Sequence, residues 1–281
     1  GEKVIMGHTI PAGGDTRTDI NLALNILFNH PNTGPFIARQ MIQRLVTSNP
    51  SPEYIGRVAA AFNDNGEGVR GDLKAVVKAV LLDEEALNGA TTNPATFGKV
   101  REPLLFVSHL FRAFHAQKED NTLYLGDQPL YRYASYGFNG TGYTKQEGPL
   151  ESLTVFNHFT PEDAPYSLKK EGLVAPEFEV FGTDGVHQQL LGLINKDGFI
   201  YETHEVTAEL QLDAETALME AGKYDELLDR LNTLLLGGGM SAITRNTIKG
   251  YIEQQENIPS DKRVRYVISL VMASPDYAVQ R

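Results

Sequence analysis

The chain has 281 residues, 41% hydrophobic and 22% charged, with no Cys and no Trp. That length and composition suit a chain with a sizeable core rather than a disordered one. The missing cysteines exclude disulfides, thiolate nucleophiles and cysteine-ligated metals together. Net charge is −11, and residues 116–281 hold all of the excess, with 25 acidic and 14 basic side chains. No basic footprint for nucleic acid is expected, and no apolar run approaches the length of a membrane span.

In chain order, the first part predicts consecutive amphipathic helices joined by short Pro, Gly and Asn breaks. The opening GEKVIMGHTIPAGGD is an irregular lead-in without a signal-peptide pattern, and the expectation is a fragment of a longer protein. Asp19 is the expected cap of a helix carrying Ile20, Ala23, Leu24, Leu27 and Phe28 and stopping before His30-Pro31. A second helix begins near Thr33 and Pro35. Its apolar face is expected to be Ile37, Met41, Ile42 and Leu45, with Arg39, Gln40, Gln43 and Arg44 opposite. Ser51-Pro52-Glu53 starts a third helix through Tyr54, Ile55, Val58, Ala59 and Phe62. After the loop Asn63 to Gly68, Asp72 is expected to cap a fourth, with Leu73, Val76, Val77, Val80 and Leu81.

Residues 101–116 are the most clearly two-faced. At about 100° per residue, Leu104, Val107, Leu110, Phe111 and Phe114 share one side. Arg101, Ser108, Arg112 and His115 line the other, with Glu102 and His109 beside them. Periodicity then fails from about 120 to 182, where Tyr124, Tyr131, Tyr133, Tyr136 and Tyr143 sit among Gly and Asn. A helix is expected at Val186 to Ile194, and a short strand or extended segment at Glu202 to Leu212. The end is helical again: Leu227, Leu228, Leu231, Leu234 and Leu235, stopped by Gly237 to Gly239; then Ile243, Ile248, Tyr251 and Ile252. Last comes Val264, Val267, Ile268, Val271 and Met272, from a Ser260 cap to Ser274-Pro275.

The fold class expected is therefore mainly α: a multi-helix domain with a long irregular aromatic-rich segment and at most a short β element. One domain over 1–281 is favoured, with lobes at 1–118 and 183–281 joined by irregular 119–182 as the alternative.

No chemical motif is complete. Gly237 to Gly239 lacks the Gly-Lys-Ser/Thr of a phosphate loop and follows a helix, so it reads as a helix stop. Asn195 to Ile200 has the centre of a calcium loop, but Leu193 and His204 stand at its first and twelfth positions. It reads as a turn. His204-Glu205 has no second zincin histidine, and Gly239 to Ile243 lacks the final Gly of a nucleophile elbow. No metal and no cofactor are expected.

Two constellations remain. Arg101, Glu102, His109, Arg112 and His115 can form an anion-binding face, arginine offering forked donors, or a solvated helix face with internal pairs. The tyrosine stretch, with Tyr131, Tyr133 and Tyr136, is either a ligand or partner surface or an irregular segment buried by its own rings.

Several separated strings, in order, resemble one family. They are HPNTGPFIARQMIQRLVTSNPSPEY (30–54), FNDNGEGVRGDLKAVVKAVLLDEEA (62–86), FGKVREPLLFVSHLFRAF (97–114), SLTVFNHFTPEDAP (152–165), GLVAPEFEV (172–180) and MASPDYAVQR (272–281). Together they are similar to the C-terminal half of the bacterial domain of unknown function 1800 family. The stretch from Tyr131 to Gly148 looks expanded relative to that family's pattern. The resemblance implies a longer, exported protein encoded beside proteins resembling sulfatases and alkaline phosphatases, and it carries no catalytic residues.

Two functions follow as expectations. The first is an exported, non-catalytic partner or scaffold acting with that hydrolase-like neighbour. The alternative is a hydrolase on an exported or cell-envelope substrate, with a composite site drawing on Arg101, Glu102, His109 and Asn157.

Overall fold

A computed structural model describes residues 1–116, 152, 155, 158–181 and 210–281. Among these the chain is mainly helical, and its strands form only two short antiparallel pairs. Two compact units are present, Gly1–Gly98 with Arg281, and Lys99–Gln280.

The first unit opens with a hairpin, β1 (Lys3–Ile5) and β2 (His8–Ile10), in the register Lys3↔Ile10, Val4↔Thr9, Ile5↔His8. Helix α1 (Thr16–Asn29) follows. Its cap is Asp15, not the expected Asp19: the Asp15 carboxylate accepts from the N–H groups of Arg17 and Thr18, both at 2.9 Å. Asp19 lies one turn in and accepts instead from Lys3 Nζ at 2.6 Å. That bond ties the helix to the hairpin and turns Asp19, Ala23 and Ile26 partly inward. The expected apolar row therefore does not become core. Ile20, Leu24 and Leu27 remain 53%, 58% and 47% exposed, and α1 has no fully buried residue.

The core of this unit lies among α2 (Thr33–Leu45), α3 (Pro52–Asn63) and α4 (Leu73–Leu82). Ala38, Ile42, Tyr54, Val58, Ala59, Phe62, Val76 and Val80 are its buried members. Ser51 and Asp72 cap α3 and α4 as expected, accepting from Tyr54 N–H (3.1 Å) and from Lys74 N–H (2.9 Å). On α2 the buried row is rotated from the expected one. Ala38 and Ile42 lie inside, Leu45 lies out, and Gln43 is buried because its Nε2 donates to the Ser48 carbonyl at 3.0 Å. Leu73 and Leu81 of α4 are likewise exposed. The rotation on α2 brings Gly34 against α3, where a Cβ would stand 3.3 Å from the Ala59 carbonyl oxygen. Helix α5 (Glu84–Thr92), capped by Asp83, had no sequence expectation. Its Gly89 is pressed by the ring of Phe97.

The second unit begins with β3 (Lys99–Val100) and α6 (Pro103–Ala113). The short helices α7 (Tyr166–Lys170) and α8 (Phe178–Phe181) follow among the described residues. Then come α9 (Asp213–Glu220), α10 (Tyr224–Leu236), α11 (Ala242–Gln254) and α12 (Ser260–Ala273). The unit closes with α13 (Pro275–Ala278) and β4 (Val279–Gln280). Leu227, Leu228, Leu231 and Leu235 of α10 are buried with Ile248 and Ile252 of α11. The row Val264, Val267, Ile268, Val271 and Met272 of α12 joins them. Gly237 takes the left-handed conformation (φ 58°) and stops α10, so the glycine triplet is a helix end. Ser260 is the first helical residue of α12 rather than its cap, which is Pro259. Strand β4 returns to pair with β3 (Lys99↔Gln280, Val100↔Val279), which brings the last residues of this unit back to its first.

Candidate functional site

The β3–β4 junction gathers most of the polar candidates of the second unit. Arg101 follows β3 directly, and its N–H donates to the Ala278 carbonyl at 2.8 Å. Its side chain is turned inward and is only 7% exposed. The guanidinium lies 4.1 Å over the ring of Tyr277, a cation–π contact inside the unit, and Nη1 donates to His109 Nδ1. Tyr277 is fully buried, packs edge-on against Phe106 at 4.7 Å, and donates its hydroxyl to the Phe106 carbonyl at 2.7 Å. Burial pushes the Tyr277 phenol up to about 12, with Arg101 pulling the other way.

His109 is half-buried, its ring 5.8 Å from that of Tyr277. Its Nε2 is 3.0 Å from the Leu234 carbonyl oxygen of α10. A carbonyl only accepts and a guanidinium only donates, so Nε2 carries the proton and Nδ1 the lone pair. The imidazole is thus held neutral. Burial, then the charge of Arg101, holds its pKa below the usual histidine value, against the opposing pull of the Leu234 carbonyl.

Beside this lies a buried ionic group. Lys99 Nζ is 3.3 Å from Glu102 Oε1 and 3.8 Å from Glu177 Oε1, with the Lys99 and Glu177 side chains 2% and 1% exposed. Glu102 also stands at the cap position of α6. A buried ion pair of this kind fixes geometry more surely than it adds stability.

Of the residues expected from sequence, the structure brings Arg101 and His109 into one contact, with Glu102 bonded to Lys99 close by in the chain. Arg112 and His115 are exposed; Arg112 reaches the cluster only through its charge on His109, and His115 is the left-handed residue (φ 45°) after α6. Arg101, expected with Arg112 and His115 on an outer face, is inside. Asn157, Tyr131, Tyr133 and Tyr136 lie outside the described residues. Sequence reasoning missed Tyr277, Lys99 and Glu177. The signal for Tyr277 was its place in the closing string MASPDYAVQR (272–281).

In the loop Asn63 to Gly68, two side-chain oxygens accept from nearby backbone N–H groups. Asp64 Oδ1 accepts from Gly66 and Gly68 N–H, and Asn65 Oδ1 from Glu67 and Val69 N–H, all within 3.2 Å. Beside it an open depression of about 400 Å³ is lined by residues of α3 and α4, Lys78 among them, and by Asp64 and Asp83 just past their ends. Among the described residues no group of three or more His, Asp or Glu is placed to hold a metal ion.

The family model described as protein of unknown function (DUF1800) matches residues 1–279. The chain belongs to the DUF1800 family. No curated protein and no solved structure matches this DUF1800 chain. No helix among its described residues is long and apolar enough to cross a membrane.

Proposed function

We propose that this DUF1800 chain is an exported, non-catalytic partner protein that works with a hydrolase-like neighbour of the sulfatase or alkaline phosphatase kind. The observation that carries the reading is the outward apolar row of α1. Ile20, Leu24 and Leu27 recur at i, i+4 and i+7 and face solvent. The fourteen-residue helix carries only two charged side chains, Arg17 and Asp19, both in its first turn. Charge depletion around apolar anchors at helical spacing suits a helix that docks against another protein.

The engagement of Arg101 and His109 supports the same reading. A hydrolase using Arg101, Glu102, His109 and Asn157 needs an imidazole whose lone pair is free to take a proton. Here that lone pair accepts from Arg101, and the opposite nitrogen is bonded to Leu234.

Co-expression with a protein of the sulfatase or alkaline phosphatase kind from the native host's gene set tests the proposal. The neighbour should co-purify with the wild-type chain. Leu24→Asp should weaken that association at least tenfold, since burying one leucine contributes about 1.5–3 kcal/mol. Leu82→Asp, at an equally exposed leucine of α4, should leave it unchanged. Absence of co-purification, or equal loss with both variants, overturns the reading. Fractionation of the native host checks export, and recovery in the cytoplasm alone counts against it.

A further inference from the structure

The segment from Pro275 to Gln280 is a strap across the start of the second unit. Its backbone attachment is small: the two-residue pairing of β4 with β3 and the Arg101 N–H bond to the Ala278 carbonyl. What seats it is the side chain of Tyr277, gripped by Phe106 below and by the Arg101 guanidinium above, together with Asp276, whose Oδ2 accepts from the Ser241 N–H at 2.8 Å. Arg101 is held over that ring by its bond to His109. The strap, the arginine and the histidine are therefore one chain of contacts.

Its histidine link requires one protonation state. Neutral His109 with its proton on Nε2 donates to Leu234 and accepts from Arg101. A proton added at Nδ1 sets N–H against N–H and a second cation against a buried guanidinium. Among the described residues, the groups facing the imidazole offer no relief. From the chain ahead of α6 comes Arg101, from α6 itself Arg112, from α13 the phenol of Tyr277, and from α10 only the Leu234 carbonyl. The carboxylate nearest in sequence, Glu102, is paired with Lys99.

We infer that His109 is an acid-sensitive latch: its protonation expels the Arg101 guanidinium from Tyr277 and releases the strap Pro275–Gln280 from the second unit. Above the histidine's own pKa the strap is closed. Below it, the Tyr277 socket beside Phe106 opens to solvent, as expected of histidine switches that break a packed contact on gaining charge.

Amide hydrogen exchange of the whole chain, corrected for the intrinsic pH dependence of exchange, tests this. Protection of residues 276–280 should fall by up to tenfold per pH unit as the pH drops below about 6.5, the ordinary histidine value that opening restores, and level off below the lower value of the closed form. Protection of the α12 core, Val264 to Met272, should hold through the same range. His109→Gln offers an amide that can donate to Leu234 and accept from Arg101 without titrating, so its strap should stay protected at acid pH. Unchanged strap protection in the wild type, or an equal acid loss in His109→Gln, overturns the latch. Should that variant not fold, NMR titration of wild-type His109 decides. A transition below about 6.5 that coincides with strap opening supports the latch, and one without strap opening refutes it.

Discussion

Gly89 and Gly56 are both helical glycines, and replacing each with alanine should have opposite effects. In an exposed helix interior, Gly→Ala stabilises by up to about 1 kcal/mol, because alanine loses less backbone freedom on folding. Gly56 of α3 meets that condition, since a Cβ there has nothing within 4 Å. Gly89 of α5 does not: an added Cβ would fall 2.2 Å from Phe97 Cδ2 and 2.8 Å from its Cγ. Phe97 is itself buried, so its ring cannot swing into water without uncovering apolar surface. Overpacking of this kind costs about 1–3 kcal/mol. Both variants gain the same intrinsic propensity, so their difference isolates the steric term, and Gly89→Ala should be less stable than Gly56→Ala by about 1–3 kcal/mol. Urea unfolding followed by far-UV circular dichroism, with midpoint and slope compared across the two variants and wild type, measures it. If Gly89→Ala proves as stable as Gly56→Ala, the packing of Phe97 on α5 is wrong and the reasoning fails with it.

Tyr54 is fully buried and donates its hydroxyl to the Val80 carbonyl at 2.6 Å, so Tyr54→Phe should destabilise the first unit by about 1 kcal/mol, read as a lower urea midpoint at unchanged slope. A midpoint equal to wild type would remove that bond from the account. Asp83 accepts from Arg57 Nε and Nη2, both at 2.7 Å, and these bonds hold its carboxyl below the ordinary aspartate value against the opposing effect of burial. The stability it contributes is complete above about pH 4 and is lost as the pH falls through its lower folded value. Asp83→Asn should therefore flatten the acid limb of stability against pH, and an acid limb as steep as in the wild type would refute the pairing.

How far the sequence revealed the fold varies with the range of the interaction that sets each feature. Ser51 and Asp72 act within three residues, so their caps were legible. The α12 row was legible because five apolar residues at helical spacing leave one way to turn the helix inward. On α1 the same pattern misled. Its rotation is set by the Lys3–Asp19 bond to the hairpin, and its apolar row was left outside. Gln43 misled in the same way: a residue placed on the polar face is buried because its amide reaches Ser48 beyond the helix end.

The site shows the same division more sharply. Arg101 and His109 stand out on any reading of α6, but the partners that define their chemistry are remote in sequence. Leu234 is 125 residues from His109, and the Phe106–Tyr277 hydrogen bond spans 171 residues. A helical wheel places Arg101 with Arg112 because it knows only the axis of α6. Arg101 in fact precedes that helix, in chain paired through its N–H with Ala278, and its side chain lies inward. Once it is inside, the rest follows from donor and acceptor rules. A buried guanidinium requires an acceptor, the nearest is an imidazole nitrogen, and the opposite nitrogen must then carry the proton that the Leu234 carbonyl receives. A histidine that sequence alone could assign to an anion site or a solvated face is thereby fixed in its neutral form by the return of the chain's last residues, and its response to acid is a property of that closure.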